Sequence, residues 1–150
     1  MNGPVICGIE DARGASIAGV ARELAERYEV PLLYVHVLDN PGDAEQAARL
    51  LREAAAPGRG KVSIEEGHPA DRLVELAGER DASFLVVGNH GPRSSLLGSV
   101  SADVSRRAPC PVIVVPPTAD PVDGSVPAAN PVVEGGIVRF GLGHAARPVA

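Results

Sequence analysis

The strict alternation of strand-like and helix-like segments constrains this chain more than any other feature. Val5 to Ile9 is a short β-branched run that stops at Glu10-Asp11, and Ile17, Val20, Ala21, Leu24 and Tyr28 then recur at helical spacing. Pro31 reopens the chain into Leu32 to Leu38, a nearly continuous apolar run of the kind found in strands covered on both faces. Asn40-Pro41-Gly42 breaks that strand, and Asp43 is placed to cap a helix carrying Ala44, Ala47, Ala48, Leu51 and Ala55. Lys61 to Glu66 reads as a third strand with Val62 and Ile64 on one face; Ala70, Leu73, Val74 and Ala77 form the next helical stripe. Ser83 to Val87 is a fourth strand, Leu97, Val100, Val104 and Ala108 mark a fourth helix, and Val112 to Val115 is a fifth strand between proline pairs. Right-handed crossovers between such units give one architecture: an α/β fold with a five-stranded, open, doubly wound parallel sheet.

After Pro116 the composition shifts to Pro, Gly, Ala and short polar residues. Residues 1–116 therefore read as one domain, and 117–150 as a flexible Pro/Gly-rich C-terminal tail. Within it, Ile137 to Phe140, flanked by glycines, is a candidate short strand for an exposed sheet edge.

Several functions are disfavoured by composition. A net charge of -5 and 3% aromatic residues supply neither a phosphate-tracking surface nor stacking platforms, so nucleic acid is not expected as a partner. No apolar run approaches the ~18 residues of a membrane span and the N-terminus lacks a signal-peptide pattern, which makes a cytoplasmic location the expectation and a membrane partner unexpected. Cys7 and Cys110 match no redox or metal spacing and read as small buried apolar residues. His36, His68 and His90 do not cluster at ligand spacing, and no metal is assigned.

The segment from Val87 to Val100 is the most informative for chemistry. It places a glycine-rich stretch, Gly88 to Ser99, between a strand and a helix, where glycines admit close approach of backbone N–H groups to an anion and the helix start adds a partial positive charge. Ser99 can cap the helix or donate its hydroxyl to a phosphate oxygen, and Arg93 is a candidate phosphate partner. The stretch lacks the Gly-Lys-Ser of a Walker loop and does not follow the first strand as a dinucleotide fingerprint does. Steric need alone also places glycine in such turns.

These residues carry a resemblance. Val5 to Glu10, Val35-His36-Val37, Gly67-His68-Pro69-Ala70, Phe84 to Gly88, Leu97 to Ser101 and Ala108 to Val115 together resemble the universal stress protein family over about residues 4–115. The resemblance implies a Rossmann-like, adenine nucleotide alpha hydrolase-like fold. It also implies that Gly88, Gly91, Gly98 and Ser99, followed by Val100, form a phosphate loop, while Glu10 and the backbone at Val37 hold adenosine. Two positions depart from the ATP-binding pattern: Gly91 and Gly98 are separated by six residues where the pattern has nine, and Glu10 stands where Asp is more usual.

The expected function is a stress-responsive regulatory module binding ATP or a smaller adenine nucleotide, and not an enzyme, since no general base, metal-binding carboxylate pair or nucleophile triad accompanies the loop. The alternative is a dimeric scaffold of the same fold, acting through protein contacts with the loop as a vestige. A phosphoacceptor receiver is excluded: Glu65-Glu66 and Pro116-Pro117 stand where it needs an Asp and a Lys. The resemblance further implies a homodimer through the fifth strand, Val112 to Val115.

Overall fold

The computed structural model describes residues 2–11, 14–56, 58, 60–89, 99–116, 132–134 and 137–139. The apolar runs form β1 (Val5–Gly8), β2 (Leu32–Leu38), β3 (Lys61–Glu66), β4 (Phe84–Gly88) and β5 (Val112–Val115). The intervening helices are α1 (Gly14–Tyr28), α2 (Ala44–Ala55), α3 (Pro69–Glu79) and α4 (Ser99–Arg107). β1 lies between β2 and β4 in the strand order β3-β2-β1-β4-β5, and every pair within it is parallel, as the alternation requires.

Side-chain alternation along the strands divides the core in two. Val5 and Cys7 of β1, with Tyr34, Val86 and Ile113, pack against Ile17, Ala21 and Leu24 of α1 and Leu51 of α2. Ile6, with Val35, Leu85 and Val112, packs on the opposite face against Leu73 and Leu76 of α3 and Val104 of α4. The helices thus cover both faces, which explains why the central strands are apolar at consecutive positions rather than at alternate ones.

Two local features depart from the sequence expectation. Asp43 makes no side-chain capping bond; instead a one-turn 3-10 helix over Pro41–Asp43 precedes α2, and the Asn40 side chain accepts from the Gly42 N–H at 3.1 Å. The proline fixes the turn and the asparagine satisfies its first free donor, so the cap moves three residues upstream.

The second departure concerns the sheet edge. Two further strands, β6 (Val132–Glu134) and β7 (Ile137–Arg139), extend the sheet, with β7 parallel to β5 and β6 antiparallel to β7. β7 coincides with the candidate strand at 137–140, whereas β6 had no signal of its own. Ile137, Val138 and Arg139 register with Val112, Ile113 and Val114. A strand edge offers one row of N–H and C=O groups, so the β5 edge expected to receive a second subunit is filled in this structure from within the same chain.

Candidate functional site

Because β1 has β2 on one side and β4 on the other, the chain leaves β1 toward one face of the sheet and leaves β4 toward the other. The carboxyl ends of β1 and β4 are therefore the switch point of this doubly wound sheet, where helices part and a crevice opens. A cleft of about 400 Å³ lies at that end, bounded by Glu10, His36 and Val37 from the strand ends, Gln46 from α2, Pro69 from α3 and Val100 from α4.

Strand length shapes the cleft. β1 ends at Gly8 whereas β2 continues to Leu38, and the last bond across this boundary runs from the Ile9 N–H to the Val35 carbonyl, 2.8 Å. Backbone groups two residues apart point to the same edge of a parallel strand. The Val37 amide and carbonyl consequently face the space beyond the end of β1. Gly14 tightens the turn out of that space: a Cβ there would lie 2.6 Å from Ile9 Cγ2, so α1 begins hard against the strand it follows only because residue 14 has no side chain.

His36 completes this wall. Its Nδ1 lies 2.6 Å from the Ile9 carbonyl oxygen, which can only accept, so Nδ1 is the donor of that bond and Nε2 is the ring nitrogen left toward the cleft side of the contact. Sequence reasoning weighed His36 only as a metal ligand; the signal available was its place in the Tyr34-His36-Leu38 face at the carboxyl end of a central strand. Asp39 and Asp43 also line the cleft and were not singled out; together with Glu10 they make its rim acidic. Among the described residues no cluster of three or more His, Cys, Asp or Glu could hold a metal ion.

The site residues expected from sequence fall into three groups. Glu10, Val37 and Val100 come together in the cleft. Gly88 ends β4 one strand away, and the following Asn89 N–H bonds the Val115 carbonyl at 2.9 Å, tying the start of the glycine stretch to β5; Ser99 is the first residue of α4. Gly91, Arg93 and Gly98 lie outside the described residues.

Burial of the described thiols argues against reactive cysteines. Burial pushes the Cys7 thiol far above its ordinary 9.0, against a smaller opposing pull from Arg22, and pushes Cys110 up to about 11. Both remain protonated and poorly nucleophilic near neutrality. No helix among the described residues is long and apolar enough to cross a membrane.

The parallel doubly wound sheet and its switch-point cleft define a Rossmann-like α/β domain. Residues 41–116, just over half of the chain, match the family model described as the universal stress protein family, and the chain belongs to that family. It is 49% identical over 63 residues to a universal stress protein of Mycobacterium tuberculosis, an alignment covering 37% of this chain and 43% of the relative. The chain spans less than half the length of the first curated relatives it matches. Among solved structures, the universal stress protein from Archaeoglobus fulgidus in complex with dAMP is 27% identical with a TM-score of 0.63, covering 74% of this chain and 95% of that one. A universal stress protein in complex with cAMP is 31% identical with a TM-score of 0.59, covering 75% and 97%.

Proposed function

We propose that the chain is a regulatory module that binds an adenine nucleotide in the cleft at the carboxyl ends of β1 and β2, with the phosphate directed toward the glycine stretch between β4 and α4. The observation that carries this reading is the convergence of Glu10, Val37 and Val100 from three separate elements on one cleft at the switch point. Adenine presents a ring acceptor beside an amine donor, which the outward amide and carbonyl of Val37 match without any side chain. The Glu10 carboxylate is an acceptor suited to ribose hydroxyls. Family members that hold dAMP and cAMP support the ligand class.

Two features favour a mono- or cyclic nucleotide over ATP. The Gly91 to Gly98 spacing is three residues short of the ATP-binding pattern, a reach of about 10 Å extended or about 4.5 Å as helix. Glu10, Asp39 and Asp43 add negative charge around the cleft, which penalises a triphosphate more than a monophosphate. The cleft offers carboxylates and an imidazole but no described nucleophile or metal cluster, and regulation by binding fits it better than turnover.

Titration calorimetry of the purified chain with AMP, cyclic AMP, ADP and ATP tests the proposal. AMP or cyclic AMP is expected to bind most tightly, with Glu10→Gln weakening it about tenfold through loss of a charged hydrogen bond. Absence of binding by all four at millimolar concentration overturns the reading and leaves the scaffold alternative.

A further inference from the structure

A second cleft, of about 920 Å³, lies at the opposite end of the sheet. It is bounded by the amino ends of β2 and β3, the carboxyl half of α1 and the α2–β3 connection, and it shares no lining residue with the switch-point cleft. Val30, Pro31 and Leu32 give it an apolar part. Arg22, Lys61 and Arg80 bring positive charge to it, against the carboxylates of Glu26 and Glu29.

Two donors meet beside this cleft. Tyr34 is fully buried, and burial pushes its hydroxyl up from the ordinary 10.0 while the Arg22 guanidinium next to it pulls the other way. Even so, the Tyr34 hydroxyl and Arg22 Nε are buried without a partner at hydrogen-bond geometry, and among the described residues no other buried side-chain N or O atom is left so. The α2–β3 connection lies tightly over both: a Cβ at Gly60 would stand 2.6 Å from Tyr34 Cε2, and one at Gly58 would stand 3.0 Å from Arg22 Cδ. Arg22, Gly58 and Gly60 all line the cleft, so Tyr34 is separated from it by a glycine and a guanidinium alone. Buried donors are rarely left unmatched, and two neighbouring ones beside a cleft call for an acceptor from outside the chain.

We propose that the amino-end cleft is a second ligand site, in which the carboxylate of a small apolar acid accepts from Arg22 Nε and the Tyr34 hydroxyl while its apolar body lies against Val30, Pro31 and Leu32. An arginine Nε can only donate, and a hydroxyl beside a guanidinium donates in turn, so the ligand must bring acceptors. A carboxylate presents two oxygens, one for each donor, and the bonds are charge-assisted. Glu26 and Glu29 select against a second negative charge: a phosphate dianion would face both carboxylates, whereas a single charge is matched by Arg22 and supported by Lys61 and Arg80.

Tyrosine emission of the full chain tests this, because the chain has two tyrosines and no Trp. In a Tyr28→Phe background, which keeps an aromatic ring against Phe84, the signal belongs to Tyr34 alone. Titration with cyclohexanecarboxylate is expected to change that signal saturably, with acetate about tenfold weaker for want of an apolar body and inorganic phosphate weaker still. Arg22→Lys keeps the charge but removes the Nε donor, and is expected to weaken binding of the cyclohexyl acid about tenfold. Calorimetry on Tyr34→Phe, which keeps the ring and removes only the hydroxyl, gives a second reading that survives any folding defect of the arginine variant; weaker binding is again expected. No saturable change, which would mean that buried water alone serves the two donors, overturns the proposal. So does phosphate binding as tightly as the cyclohexyl acid, or an affinity unchanged in Arg22→Lys or Tyr34→Phe. No nucleotide enters the measurement, so its outcome is independent of the switch-point cleft.

Discussion

β1 and β3 belong to the same sheet, run in the same direction and are both flanked by helices, yet their sequences follow different rules. β1 reads Val-Ile-Cys-Gly and is buried at every position; β3 reads Lys-Val-Ser-Ile-Glu-Glu and is exposed or half-buried throughout. The difference comes from neighbours, not from strand geometry. β1 has a strand on each side and a helical layer on each face, while β3, among the described residues, has no outer strand and is only partly roofed by α2 and α3. Strand propensity is the same demand in both; burial supplies the distinct sequence signatures.

The largest test of this contrast compares two isoleucines. Ile6 of β1 is fully buried and Ile64 of β3 is 39% exposed. Ile6→Ala is expected to destabilise the chain by about 2–5 kcal/mol through lost transfer energy and a residual cavity, whereas Ile64→Ala should cost less than about 1 kcal/mol in the monomer. Denaturant unfolding of both variants decides it, and equal losses would mean that β3 is far better covered than its exposure indicates.

A second test uses the Cys7 thiol. Its folded pKa is raised by burial above the ordinary 9.0, so the folded state keeps a proton that the unfolded chain gives up. Its stabilising contribution is therefore whole below about pH 9 and is lost as pH rises beyond it, at up to about 1.4 kcal/mol per pH unit. Unfolding free energies measured from pH 8 to 10 should fall, and Cys7→Ala should lessen that fall while leaving the contributions of Cys110 and Tyr34, which burial also pushes up. No such thiol sits on β3, and only the share of the alkaline loss that Cys7→Ala removes belongs to the central strand.

The smallest expected effect concerns how the edge is fastened. Arg72 of α3 bonds Glu65 of β3 at 3.4 Å as well as Glu75 and Glu79 of its own helix at 2.9 and 3.2 Å. Arg72→Ala should cost about 1 kcal/mol or less, because pairs this close to solvent are weak individually. Amide hydrogen exchange should show the loss first at Lys61 to Glu66; protection lost equally in β1 would sink the idea that this cluster serves the edge.

The buried strands were legible because a continuous apolar run bounded by Gly or Pro leaves few other assignments, as in Leu32–Leu38. β3 was legible through its period of two. β6 was not, since three residues beside Pro131 carry no period, and pairing with β7 alone makes Val132–Glu134 a strand. In the candidate site, Glu10, Val37 and Val100 were readable from the resemblance, whereas His36 required knowledge of which strand end stands next to Ile9. That adjacency is a property of parallel packing between segments far apart in sequence, and local spacing does not encode it.

The central position of β1 has a consequence for how the molecule is made. Val5 meets Leu32 on one flank as soon as the second strand is made, but its other partner, Phe84, belongs to a strand produced much later. Until β4 emerges, the first strand is an open apolar edge, and the part of the sheet that α4 covers is still bare. Loop closure on that scale is slow and the half-built species is prone to associate. Arrival of β4 is therefore what gives the first strand its second neighbour and ends its exposure as an edge.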